Sequence, residues 1–483
     1  MTAPATPPAS PGTSAPPPAR SGRGPRVEAH GIDVIGDGER HGRARDLFGV
    51  WAAPNVSYLS LVVGGALVLS GLSLLQALAV IVVGNLCWML VGLVAVSGPA
   101  AGAPSEVIMR AMFGTRGNRF VIGLNGWLVS VCYVALSWSA ASVTAFSLCS
   151  RLGIELNTVG KVLVIVAIAA ATLVISVYGH SVIVRLYLPL AIVTAAVFLV
   201  LGGFLLPHTR WSYEPATPLH GVALWAALTG GVALVASASL SYNTSADFAR
   251  YLPRDTKPFA VAAWTAAGAF LPSIVFTALG AFAATTLDMS DPQSALESVL
   301  PPWFTPIFLV AVILGAIANN AMTVYSSGLA LQAMGVRLRR SRSVLLDGTA
   351  GVLLTLYALL VSDFLKAVND LMQLMVVVLG PMMAIYAADL LARRNRYDGH
   401  ALADERRGGP FWYVGGVHWP GIAALVLGAA ASASCLSVPG MYTGFAASAV
   451  GGIDLSLPAG MLIAAAVYLL AGRPQTPERK ELS

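Results

Sequence analysis

The chain has 483 residues, of which 56% are hydrophobic and only 11% charged, less than half the roughly 25% of an average soluble domain. A net charge of +6 would suggest nucleic acid as a partner of a soluble protein, but so few Asp, Glu, Lys and Arg cannot coat a water-soluble surface. The composition excludes a chain of soluble domains and leaves a multi-span membrane protein.

The first 26 residues are dominated by Pro, Ala, Ser, Gly and Thr. They hold no apolar run of the ~7–15 residues a signal peptide needs, and too little apolar surface to fold; a disordered cytoplasmic tail is expected over 1–46. A helix needs about 20 mostly apolar residues to cross the hydrocarbon core. That ruler gives twelve spans, near 48–73, 76–97, 120–148, 160–178, 182–206, 220–242, 259–286, 303–333, 344–361, 364–392, 413–436 and 456–471, the ninth and tenth separated only by Ser362-Asp363. Runs of this length without period-two alternation exclude a β-barrel.

Positive charge gathers in cytoplasmic loops. With both termini placed inside, only Arg151, Lys161, Arg210 and Lys366 of the 29 basic residues fall outside, and the acidic loop 287–302 has no basic residue. Twelve crossings of the plasma membrane with both ends cytoplasmic are therefore expected, with 473–483 as the C-terminal tail. Cys87, Cys132, Cys149 and Cys435 lie in apolar stretches without CxxC spacing and read as small hydrophobes rather than ligands or disulfides. The histidines form no HExxH pattern, so no metal site is expected.

Polar clusters inside hydrocarbon are costly unless they serve a site. The first span carries Pro54-Asn55 and Gly64-Gly65; the sixth carries Gly230-Gly231 followed by Ser237, Ser239, Ser241 and Asn243; the third and eighth carry NGWLVSVCYVALSWSAAS and AIANNAMTVYSSGLALQAMG. Spans one and six are five apart, as are three and eight. Because five is odd, a second five-span block enters the membrane inverted, and interruptions at equivalent places in two such blocks point to an inverted-repeat transporter. Small residues at close helix contacts are the plainer account of any single Gly-Gly. The blocks are expected at 47–206 and 220–392, with a loop and two peripheral helices over 393–472.

WAAPN (51–55), MRAMFGTRGN (109–118), SADFARYLP (245–253), ANNAMTVYSSGLALQAMG (318–335) and NDLMQLMVVVLGPMMAIYAADLL (369–391) resemble, in order, the nucleobase–cation symporter family and its purine–cytosine permease branch, from about residue 28 to 471. The resemblance implies an all-α, LeuT-like fold of two inverted five-helix repeats plus two peripheral helices. It also implies cation-coupled alternating access for a planar heterocycle such as cytosine or a purine; a hydantoin, allantoin, a vitamin heterocycle or an amino acid on the same fold is the alternative. A flat apolar ring calls for aromatic faces, and its edge for amides and hydroxyls.

Carried over by position, the resemblance implies Tyr133 for stacking, with Ser137 one turn on where the family often has an amide; Trp127 and Trp138 read as core or interface residues. On the sixth span it implies Ser237, with Ala238 where an aromatic is common. On the eighth it implies Asn320 with Thr323, i and i+3 on one face, the alternative for Asn320 being an interhelical hydrogen bond. Asn55, after Pro54, is expected to meet substrate or hold the unwound backbone. Asp247 beside Arg250 is expected to form a gate or a helix-end salt bridge.

Sodium-coupled members resemble one another in a Ser/Thr hydroxyl about one turn before the substrate-facing Asn. Here that place is Ile317-Ala318, without side-chain oxygen, which favours H+ over Na+. Asp247 and Asp389 are the candidate carboxylates for a proton. No cofactor, metal or nucleic acid is expected, and no nucleophile–base or metal constellation supports an enzyme; the partners expected are the heterocycle, the cation and the bilayer, with the oligomeric state open.

Overall fold

The computed structural model describes residue 28 and residues 30–361, 364–438 and 440–472. Among these, nine helices are long and apolar enough to cross a bilayer; the bent pair Asp46–Asn55 and Tyr58–Leu69 makes a tenth crossing, and the shorter apolar helices Trp419–Cys435 and Ser456–Ala471 bring the number to the expected twelve. Numbered as spans one to twelve, the ninth and tenth are Arg340–Val361 and Phe364–Ala392, and the Ser362-Asp363 junction lies outside the described residues. Among the described residues the strands are the two-residue Ser437–Val438 and Tyr442–Thr443, paired antiparallel, and the regular structure is otherwise helical apart from an isolated Val414–Val417 bridge.

Successive connections fall at opposite ends. At one end Arg40 reaches Pro99 O, Glu28 binds the start of span five at His180 N, and Arg119 meets Glu405. At the other, Arg151 pairs with Glu297 and Leu74 N bonds Tyr213 O. The first group joins the loops that carry most of the arginines, and is called here the basic end. Residues 30–45 belong to it. The expected disordered tail is corrected for this part: Ile35 is 1% exposed and its N–H bonds Gly102 O at 2.8 Å. Residues 1–27 and 29 lie outside the described residues, as do 473–483.

Span one breaks at Val56-Ser57, where its halves meet at 55°. Pro54 has no N–H to give and its ring crowds the carbonyl four residues back, which weakens the last turn before the break, and Ser57 caps the second half by accepting the Ser60 N–H. Span six runs unbroken from Gly221 to Leu240, turns over 241–245 and restarts as Ala246–Ala249. The interruptions therefore do not lie at the Gly-Gly pairs. Those are packing positions: a Cβ on Gly64 would strike Thr277 O of span seven, and one on Gly231 would meet Leu67 at 2.8 Å, whereas Gly230 has open space. Small residues let backbones touch where no hydrophobic force acts between helices.

Span three, Thr115–Arg151, contains one π-helical stretch, Gly123–Leu128. Such bulges concentrate at functional positions. Trp138 is fully buried and donates to Thr172 Oγ1 at 3.1 Å, and Trp127 donates to Asp347 of span nine; both are structural, as expected.

Candidate functional site

The break in span one, the end of span six and the polar stretches of spans three and eight converge on a cavity of about 70 Å3, lined among others by Asn55, Ser60, Trp88, Tyr133, Ser241, Tyr242 and Asn319. This is small beside the ~300 Å3 and more of pockets for drug-sized ligands, and it suits a compact solute. No Asp, Glu, Lys, Arg or His lines it.

Asn319 lines it from span eight. Tyr242 Oη donates to Asn319 Oδ1 at 2.7 Å, and Asn319 Nδ2 donates to Ser137 Oγ at 3.3 Å. A carboxamide has two lone pairs and two N–H donors, so one acceptor and one donor are left, side by side. That matches the adjacent donor and acceptor on the edge of a lactam or nucleobase. Asn55 bonds Trp51 O at 2.9 Å through Nδ2, holding the last turn before the break and leaving its Oδ1 unengaged among the described residues. Tyr133 Oη is buried without a hydrogen-bond partner, an unsatisfied group at the cavity wall of the kind a ligand can complete.

The expected residues divide. Asn55 and Tyr133 line the cavity, and Ser137 reaches it through Asn319. Ser237, Asn320 and Thr323 are not among its lining residues. Ser237 is fully buried and donates to Leu234 O; Thr323 donates to Asn319 O; Asn320, 1% exposed, donates to Val134 O at 3.0 Å. The last is the interhelical bond weighed as the alternative from sequence. One residue is a turn of about 100° on a helix, and that rotation exchanges Asn320 for Asn319. The aromatic missing at Ala238 comes from elsewhere. Tyr242, one turn along span six, lies 5.7 Å from Trp88 at an interplanar angle of 33°, and Asn319, Tyr242 and Trp88 are the residues that sequence reasoning passed over.

Toward the basic end the cavity is sealed. Trp51 packs edge-on to Tyr242 at 5.1 Å and to Phe248 at 5.8 Å, and Phe248 lies 5.3 Å from Tyr325. Beyond Tyr325 is a buried charge cluster. Glu28 accepts from Tyr325 Oη at 2.9 Å, from His180 N at 2.8 Å and from Tyr251 Oη, and pairs with Arg250 at 3.3 Å and Arg340 at 3.8 Å. Burial alone would raise the Glu28 pKa, but the charges of Arg340 and Arg250 and the Tyr251 and His180 hydrogen bonds hold it below the ordinary range.

The expected Asp247–Arg250 salt bridge is corrected. Arg250, fully buried, pairs with Glu28 and donates to Gly31 O at 2.7 Å. Asp247 instead accepts from Ser105 N at 2.8 Å and Ser326 Oγ at 2.6 Å. Asp389 pairs with Arg393 at 2.7 Å and accepts from Tyr397 and Tyr468. Near the expected ion position, the Ala318 carbonyl accepts the Tyr187 hydroxyl at 2.6 Å. Among the described residues no group of three or more His, Cys, Asp and Glu could hold a metal ion.

Comparison with known proteins agrees with this architecture. Residues 34–460 match the profile of a family described as permeases for cytosine/purines, uracil, thiamine and allantoin. YxlA of Bacillus subtilis (strain 168), named as a purine-cytosine permease, is 27% identical over 478 residues, covering 94% of this chain and 98% of the relative. Among solved structures, Mhp1, a nucleobase-cation-symport-1 family transporter in a closed conformation with bromovinylhydantoin bound, matches with a TM-score of 0.75 at 18% identity, over 93% of this chain and 96% of the other. A Na+-coupled sialic acid symporter matches at 0.56 and 12% identity, over 89% and 91%. The fold is thus the LeuT-like one expected, with two inverted five-helix repeats.

Proposed function

This chain belongs to the family of permeases for cytosine/purines, uracil, thiamine and allantoin, and from that membership we propose that Asn319, held by Tyr242 and Ser137, reads the edge of a planar nucleobase-class substrate between the rings of Tyr133, Tyr242 and Trp88. The protein is a membrane transporter, not an enzyme, and works by alternating access. The observation that carries the reading is the half-used carboxamide of Asn319 in an uncharged, aromatic-walled cavity. No charged side chain lines the cavity to pair an amine or a carboxylate, so although the half-helix ends at the break could meet an ion through their dipoles, the uncharged lining suits a neutral heterocycle better than an amino acid. Asn55 is assigned the second polar contact and Tyr133 the third. Ser237, Asn320 and Thr323, expected from sequence as ligands, are assigned supporting roles behind the lining.

The basic end is assigned to the cytoplasm by the positive-inside rule, which turns the aromatic-packed side of the cavity inward, and the direction of transport across the cell membrane is assigned as import. The coupling cation is assigned as H+. Supporting this, Ile317 and Ala318 offer no side-chain oxygen, which weakens a Na+ site left to backbone carbonyls alone, and the Ala318 carbonyl already accepts the Tyr187 hydroxyl.

The test is a thermal-shift and competition panel on purified protein with cytosine, adenine, hypoxanthine, uracil, hydantoin, allantoin and thiamine, each with and without Na+. A nucleobase that stabilises wild type, independently of Na+ and not the Asn319→Ala variant, is the expected result. Stabilisation of both proteins alike would overturn the site.

A further inference from the structure

Glu106 lies in the short helix Ser105–Ile108 between spans two and three, and is fully buried. Both its carboxylate oxygens are without a hydrogen-bond partner among the described residues. Its neighbour is a second carboxyl: Asp247, also fully buried, faces it across the junction between this helix and the end of span six. The junction is fixed from both sides. Ser105 N donates to Asp247 Oδ1 at 2.8 Å, and Ala246 N donates to Ser105 Oγ at 3.1 Å. Asp247 Oδ2 takes the Ser326 hydroxyl at 2.6 Å.

Two buried carboxylates in contact cannot both stay ionised, because each loses its hydration and repels the other. Burial and the Asp247 charge push the Glu106 carboxyl well above the ordinary carboxylate range. The other charged or titratable groups that face the pair are Arg250 from span six and Tyr386 from span ten. Arg250 is committed to Glu28 and Gly31 O; Tyr386 bonds Ser97 at 2.9 Å. Arg110, one turn from Glu106, bonds Glu405 and Leu402 O instead. A proton shared between the two carboxyls gives one of the two orphaned Glu106 oxygens a partner; among the described residues no cation side chain does.

We propose that Glu106 and Asp247 together hold one exchangeable proton and form the coupling-proton site of this transporter. The inference rests on the transport reading above and names the groups that carry its cation. The pair is tied to the substrate cavity by span eight. Asn319, Thr323 and Ser326 are spaced i, i+4 and i+7 on one helix face; Thr323 donates to Asn319 O, and Ser326 to Asp247. A movement of span eight about a bound substrate therefore displaces the hydroxyl that favours the ionised form of Asp247. In the cycle one proton binds the pair from the outer solution and the same proton leaves to the inner solution, with no other bond made or broken.

The test uses the full-length protein in proteoliposomes with radiolabelled cytosine, adenine and uracil, and the same protein in infrared spectroscopy. Wild type is expected to accumulate a base down an imposed inward proton gradient and to show a protonated-carboxyl band at neutral pH. Glu106→Gln is expected to lose gradient-driven accumulation at least tenfold, to keep base-for-base exchange, and to lack the band; Glu106→Asp is expected to shift it. Gradient-driven accumulation by Glu106→Gln at the wild-type rate, or an unchanged band in both variants, would overturn the proposal. Should Glu106→Gln fail to fold, an unchanged band in Glu106→Asp decides against it alone. Wild type that moves no base would count against the transport reading, while the band still decides the pair.

Discussion

The phenol of Tyr242 donates to Asn319 Oδ1 at 2.7 Å, joining the end of span six to span eight across the cavity. The bond fixes which way the carboxamide faces, and with it which edge of a ligand can be read. Asn319→Ala removes the one donor and one acceptor that the carboxamide has left for a ligand. It is expected to raise the KM for base uptake by more than about tenfold, since tenfold is about 1.4 kcal/mol and one hydrogen bond contributes ~0.5–1.5 kcal/mol. Asn320→Ala, which loses only the Val134 bond, is expected to lower thermal stability by ~0.6 kcal/mol, the average for a membrane interhelical bond, with KM within about twofold. Equal effects of the two substitutions on KM would reject the assignment of Asn319.

Tyr133 offers a cleaner separation of stability from binding. Its hydroxyl is buried and unbonded, so Tyr133→Phe relieves an unsatisfied group and is expected to raise the melting temperature. If a substrate completes that hydroxyl, KM rises several-fold in the same variant. A lower melting temperature with an unchanged KM is the outcome that would count against a role in recognition.

Glu28 predicts a pH response of the basic end. A carboxyl held below its unfolded value contributes stability that is present above about pH 4.3 and lost as pH falls through the folded value. The melting temperature of the wild type is therefore expected to drop on acidification below about pH 4.3. Glu28→Gln should abolish that component. It should also destabilise by about 3 kcal/mol or more at neutral pH, because Arg250 and Arg340 stay buried with their counter-charge gone. Calorimetry of both proteins from neutral to acid pH checks this.

The glycine pairs respond differently to a methyl group. Gly230→Ala meets nothing within 4 Å, and it is expected to be neutral or to stabilise by up to ~1 kcal/mol through helix propensity. Gly64→Ala drives Cβ into the backbone of span seven and is expected to cost more than the ~1–3 kcal/mol of ordinary overpacking. Thermal unfolding of the two variants in one detergent is the measurement; a smaller loss in Gly64→Ala than in Gly230→Ala contradicts the packing described.

The spans could be read from sequence because hydrocarbon imposes a length and a polarity on every crossing. The alternation of connections between the two ends followed from the arginines. The breaks were harder to place. Pro54 marked one within two residues, but Gly64-Gly65 and Gly230-Gly231 look alike whether they interrupt a helix or let another helix approach. Asn319 and Asn320 are chemically identical and differ only in helix rotation, which is set by packing. Glu106 carried no signal, standing in a loop segment with Arg110 nearby; only the folded junction puts Asp247, rather than the arginine, against it.

The π-helical stretch Gly123–Leu128 gives span three a phase. One residue beyond α-helical count turns everything after it by about 100°. Tyr133 and Ser137, one α-turn apart, come after the bulge and turn together toward the cavity, while Trp127 inside it points to Asp347. Deleting a single residue between 123 and 128 would leave every side chain of the span chemically intact yet swing the recognition face toward its neighbours. On the proposed site, selectivity in this span is a matter of counting as well as of composition, and a chain that differs there by one residue would present a different face to the same solute.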